Sequence, residues 1–208
     1  MISIRTFKRG KYFLERFIKA CRLTLVSTAI SFVGWCFEKV GRYVVYGAIG
    51  DRGFLHLPIC PIYGICTLLI YLLCGTPRKL SGLMGVLIDR VLVKIKKARH
   101  KRLAVYLLYF VFVTVLSTLA ELVTGLALRP FGVMLWDYSE RAFNFLGIIC
   151  VGFSLTWGAL ITLFMDIAYL PLLRIARRIP TRICIPLATL SGALAAADFL
   201  LCILLLFV

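Results

Sequence analysis

The chain is short of acid: nine Asp and Glu stand among 208 residues against 25 Lys and Arg, for a formal charge of +16. Histidine is scarcer still. Neither His56 nor His100 has cysteine or acid partners at metal-ligand spacing, which argues against a zinc site and leaves no cofactor or metal expected. No phosphate-cradling glycine loop and no Ser/His/Asp pattern occurs, so ATP hydrolysis has to come from a partner chain and no catalytic residue is assigned. The eight cysteines lie mostly inside apolar runs, where a thiol acts as a small hydrophobe and not as part of a disulfide scaffold.

What is present is apolar. Hydrophobic residues make up 62% of the chain and the mean hydropathy is +0.97, leaving too little polar surface for a water-soluble globule. The reading is an all-α polytopic membrane bundle with the lipid bilayer as its first partner. In a soluble chain the positive charge would suggest nucleic acid. Here the basic residues cluster between apolar segments, the pattern of cytoplasmic loops facing anionic lipid, and no nucleic-acid partner is expected.

Residues 1–22 carry seven basic side chains with Phe7, Tyr12, Phe13, Phe17 and Ile18 between them, and read as a basic amphipathic helix on the membrane surface, retained and not cleaved. The remainder, 23–208, reads as one transmembrane domain of about five spans: Leu23 to about Val40, Ile59 to Leu73, Leu103 to Leu126, Phe145 to Leu170 and Ile183 to Val208. Repeat halves lie at about 23–79 and 103–178, with a basic insertion at 80–102 whose apolar part, Leu80 to Val93, is too short to cross. Three clusters hold 20 of the 25 basic residues, which places the amino terminus on the cytoplasmic side of the membrane and the carboxyl terminus outside.

The halves are related by a weak internal repeat. Arg52-Gly53-Phe54 and Arg141-Ala142-Phe143 are each followed by Ile-Cys, then Tyr63-Gly64 or Phe153-Ser154. A helix carrying one glutamate precedes each copy, with Ser27, Ser31, Gly34 and Glu38 on one face in the first and Thr114, Ser117, Glu121 and Gly125 in the second. Glu38 lies 16 residues past Arg22 and Glu121 lies 19 past Arg102. A helical rise of about 1.5 Å per residue puts them roughly 24 and 28 Å from the inner surface, near the outer edge of the apolar core. A carboxylate at that depth needs a partner. The expected site is an outward-facing polar vestibule in which Glu38 and Glu121 pair with Arg52 and Arg141, while Tyr63, Trp136, Asp137, Tyr138, Ser139 and Asn144 complete the binding surface. An internal salt-bridge network holding the repeats together accounts for the same residues. Cys60 and Cys150 take matching positions and can pair if that face is oxidising.

Gly34-Trp35-x-x-Glu38, Arg52-Gly53-Phe54-Leu55-x-x-Pro58-x-Cys60-Pro61-Ile62-Tyr63-Gly64, Glu121-x-x-Thr124-Gly125, Trp136-Asp137-Tyr138-Ser139 and Phe143-Asn144-x-x-Gly147-x-Ile149-Cys150 together resemble the bacterial family labelled "putative ABC-transporter type IV", or putative ABC transporter permease, over roughly residues 30–165. The resemblance implies an integral membrane, permease-like protein. Two departures stand out: Ile148 replaces a basic residue frequent in the family, and the long basic stretch from Leu80 to Arg102 looks like an insertion, suited to docking a cytoplasmic partner. The resulting expectation is a transport component for a small polar or anionic solute. It is expected to work as a homo-oligomer or with a partner membrane or ATPase subunit, since five spans are few for a complete pathway. A membrane-embedded enzyme on a lipid-linked, phosphate-bearing substrate and a non-transporting assembly or regulatory protein are the alternatives.

Overall fold

The computed structural model describes residues 2–47, 54–92 and 97–207, and among them the chain is almost wholly helical. Seven helices follow one another: α1 (Ile2–Tyr46), α2 (Pro61–Cys74), α3 (Gly82–Val91), α4 (Ala98–Leu128), α5 (Val151–Ile167), α6 (Tyr169–Arg178) and α7 (Thr181–Leu205). Two antiparallel hairpins interrupt them, β1 (Gly75–Thr76) with β2 (Lys79–Leu80), and β3 (Asn144–Phe145) with β4 (Ile149–Cys150). The fold is an all-α membrane-type fold. Its contacts divide the chain into two units, Met1–Gly64 with Pro171–Val208, and Ile65–Leu170.

In the first unit α1 packs along α7. Cys21, Cys184 and Ala188 are buried at the seam with Leu25, Ile179 and Ile185 around them, small residues that let two helix backbones approach. The amino-terminal basic segment and the first apolar stretch share one helix. It runs on through Arg22 for 45 residues in all, because no proline interrupts the hydrogen-bond ladder between Ile2 and Tyr46. Pro61 stands at the first position of α2, where its missing N–H has no intrahelical partner to lose. The Cys60 N–H just before it donates to the Ser31 carbonyl of α1 at 3.0 Å, which ties the start of α2 to the polar stripe.

In the second unit α4 packs on α5, with Val113, Ser117, Ser154 and Met165 buried. Gly158 lets the α5 backbone close on Thr114, where a Cβ would have no room. Fully buried Tyr109 donates its hydroxyl to the Gly75 carbonyl of the first hairpin at 3.0 Å. On the opposite face of α4, Leu103, Leu107, Val111, Val115, Leu119 and Val123 form an exposed apolar stripe four residues apart, as a lipid-facing surface requires.

Among the described residues three helical stretches are long and apolar enough to cross a bilayer: Gly10–Val44, Ala98–Phe131 and Thr181–Leu205. The pair α5 and α6, broken at Ala168, would make a fourth. The expected second span is realised as α2, whose 14 residues reach about 21 Å at helical rise, short of a core of about 30 Å. The expected fourth span begins later than its apolar run. Residues 144–150 form a hairpin turned by Leu146 and Gly147 in the left-handed region, and the helix starts only at Val151.

Candidate functional site

Each unit holds a glutamate within an apolar stretch of helix, Glu38 in α1 and Glu121 in α4, and each of these two meets a tyrosine. In the first unit Gly34 and Glu38 lie one turn apart on α1. A Cβ at Gly34 would fall 2.5 Å from the Tyr63 ring, so only glycine admits the ring at that height. The Tyr63 hydroxyl then donates to Glu38 Oε1 at 2.6 Å, the short O–H to oxygen distance typical of a charge-assisted bond. Arg52, the expected cationic partner of Glu38, lies outside the described residues, as does the rest of the 48–53 segment.

In the second unit Glu121 accepts from the Tyr138 hydroxyl at a longer 3.3 Å. Tyr138 reaches it from the loop after α4, with its ring stacked on Phe153 of α5 at 4.8 Å between centroids and 18° between planes. One turn beyond Glu121, Gly125 leaves the space that the Ile148 side chain fills.

The loop from Trp136 to Cys150 is held by its own polar groups. The Trp136 indole donates to the Ile148 carbonyl at 2.8 Å, and the Tyr138 N–H donates to the Gly147 carbonyl at 2.8 Å. Asn144 donates to the carbonyls of Ser139 (3.1 Å) and Arg141 (2.8 Å) and accepts from the Gly147 N–H at 3.2 Å. Asp137 accepts from both the hydroxyl and the N–H of Ser139. Those two donors, the hydroxyl foremost, hold the exposed Asp137 carboxyl below its ordinary range, since both favour the charged form. Asp137, Ser139 and Asn144, expected to direct hydrogen bonds toward a solute, are thus engaged in folding the loop that carries Tyr138. Phe143 and Leu146 adopt φ of 56° and 57°, conformations that cost a non-glycine residue about 1–2 kcal/mol each. Arg141 rests its guanidinium over the Phe153 ring at 5.9 Å. A cavity of about 100 Å³ opens under the loop, lined among others by Arg129, Trp136, Asp137, Ser139 and Gly147.

All eight cysteines are thiols, Cys60 and Cys150 included. Two polar clusters that sequence reasoning did not assemble also appear. Arg78, in the turn of the first hairpin, makes a bidentate pair with Asp166 near the end of α5 at 2.8 and 2.9 Å, and the Tyr106 hydroxyl adds a third bond at 2.7 Å. The signal for it was an acid at the end of an apolar span, which has to find a cation. His56 meets Asp198 and Cys202 of α7, residues 142 and 146 positions away, and the three could hold a metal ion.

No curated protein and no solved structure matches the chain. The family described as "putative ABC-transporter type IV" matches residues 25–203, a stretch that takes in both glutamate–tyrosine pairs, the hairpin loop and the Arg78–Asp166 bond. The chain belongs to that family of ABC-transporter-related membrane proteins.

Proposed function

We propose that the chain is a permease-like transport component of a bacterial plasma membrane, taking a small polar or anionic solute from an outward-facing polar vestibule. The carrying observation is the glutamate that each unit keeps on an apolar helix and caps with a phenol, Glu38 with Tyr63 and Glu121 with Tyr138. Carboxylates in such segments are costly and mark solute or ion paths. In this reading a polar group of the solute replaces the tyrosine hydroxyl on the carboxylate, while in the second unit Arg141 offers a cationic donor to its anionic end. Arg141 supports this role because its guanidinium rests on a ring face, where a planar cation stays exposed and oriented. Trp136, Asp137, Ser139 and Asn144 then serve by holding the loop that presents Tyr138 and Arg141.

The reading keeps two related halves and about five crossings, with α2 as a short one, the amino terminus inside and the carboxyl terminus outside. A second copy or an ATPase subunit completes the pathway, the latter docking on the basic stretch that ends at Arg102. The test uses proteoliposomes incubated with a mixture of small carboxylates, phosphate esters and amino acids, with their contents read by mass spectrometry. Wild-type protein is expected to admit at least one anionic or polar solute, and Glu38→Gln and Glu121→Gln to abolish its entry while the protein stays folded. Contents matching empty liposomes, or entry untouched by both substitutions, would overturn the reading.

A further inference from the structure

We propose that His56, Asp198 and Cys202 form a binding site for a thiophilic divalent cation of the zinc class, one that clamps the loop before α2 to the end of α7. Asp198 and Cys202 stand four residues apart, on one face of α7. The loop brings His56 onto that face, and Phe54 packs edge-on against Phe199 at 5.8 Å to fix the approach.

Three unlike ligand atoms converge. His56 Nδ1 lies 2.9 Å from Asp198 Oδ1 and 3.3 Å from Cys202 Sγ, and Cys202 Sγ lies 3.9 Å from the same Asp198 oxygen. A triangle with those edges has a point about 2 Å from all three corners, the length of zinc bonds to nitrogen and oxygen and slightly short of a zinc–sulfur bond. A cation bound there takes the place of the thiol proton and the Nδ1 proton, so its binding releases protons. Asp198 Oδ2 accepts the Leu57 N–H at 2.8 Å, which orients the carboxylate as outer bonds orient metal ligands elsewhere. The carboxylate is largely buried at 9% exposure, while the His56 side chain is 63% exposed and leaves one side open for a water or a further ligand. One nitrogen, one sulfur and one oxygen suit zinc and not calcium or magnesium, which take several oxygens.

The experiment uses the full chain purified in detergent, stripped with a chelator and reloaded with Zn²⁺, or with Co²⁺ as a spectroscopic stand-in. Wild-type protein is expected to retain one zinc per chain and to show a near-ultraviolet thiolate–cobalt band. Cys202→Ser and His56→Ala are expected to lose both, with zinc affinity down tenfold or more. His56→Ala alters an exposed side chain, so its loss cannot be put down to unfolding. Cys21→Ser keeps the band. A wild-type protein without band or zinc, or variants that keep both, would overturn the site.

Discussion

Glu38 and Glu121 each accept a phenol on an apolar helix, but the phenol arrives by different routes. In the first unit Tyr63 sits three residues after Cys60, in the opening turn of α2, and bonds Glu38 directly at 2.6 Å. In the second unit the residue three after Cys150 is Phe153, which has no hydroxyl to give. Tyr138 is laid on the face of that ring instead and reaches Glu121 at 3.3 Å. The comparison teaches that a hydroxyl on the carboxylate is the feature shared by the two units, while the backbone that delivers it differs. The second route is the more elaborate, since it needs a hairpin loop with two left-handed non-glycine residues, one of them Phe143 at 85% exposure.

The sharpest way to break the comparison is to crowd the glycines. Gly34→Leu drives a side chain into the base of the Tyr63 ring and is expected to lower stability by about 1–3 kcal/mol or more. Gly125→Ala meets chiefly the branch methyl of Ile148, which can turn aside, and should cost less. Denaturation midpoints in detergent rank the two, and equal losses would mean that Tyr63 is not held through Gly34.

Removing the hydroxyls comes next. Tyr63→Phe deletes a short charge-assisted bond and is expected to cost about 2 kcal/mol, while Tyr138→Phe deletes a longer one and should cost about 1 kcal/mol. Double-mutant cycles with Glu38→Gln and Glu121→Gln isolate each pair, and the coupling should be larger in the first unit. A third substitution sharpens the match between the units. In the Tyr138→Phe background, Phe153→Tyr returns a hydroxyl to the position that Tyr63 holds, and part of the lost stability is expected to return. No recovery would show that α5 cannot present a phenol as α2 does.

The smallest effect concerns the loop alone. Asp137 has a folded pKa below its unfolded value of about 3.9, so its contribution to loop order is fully present above that value. It is lost as pH falls through the lower, folded value. The protection factors of amides 136–150, with the intrinsic pH dependence of exchange divided out, should therefore stay flat down to about pH 4 and fall below it, with Asp137→Asn removing the step.

Much of this was legible in the chain. The stripe of Ser27, Ser31, Gly34 and Glu38 faces a neighbour because four-three-four spacing puts it on one side of a helix, and Gly34 and Ser31 do meet Tyr63 and Cys60. The shortness of the helix after Leu80 was readable from its apolar length, and α3 spans ten residues. The hairpin at 144–150 was not, because Phe145, Leu146, Ile148 and Ile149 look like a continuous helix until left-handed φ at Leu146 and Gly147 turns the chain. The hydrogen bonds that Asp137, Ser139 and Asn144 make within their own loop were not legible either, because sequence does not show which backbone groups a polar side chain turns to.

Composition and spacing by themselves determined that the chain is helical and membrane-embedded, and that two glutamates sit on polar stripes, since both follow from local periodicity and from the cost of exposing apolar surface or burying charge. Tertiary structure alone decided which partners those charges find: Tyr63 and Tyr138 for the glutamates, Arg78 for Asp166, and His56 for Asp198 and its helix neighbour Cys202. Pairing across 17 to 146 positions depends on how loops fold back on helices, and a hydrogen bond formed over a few tenths of an ångström leaves no periodic trace in the sequence.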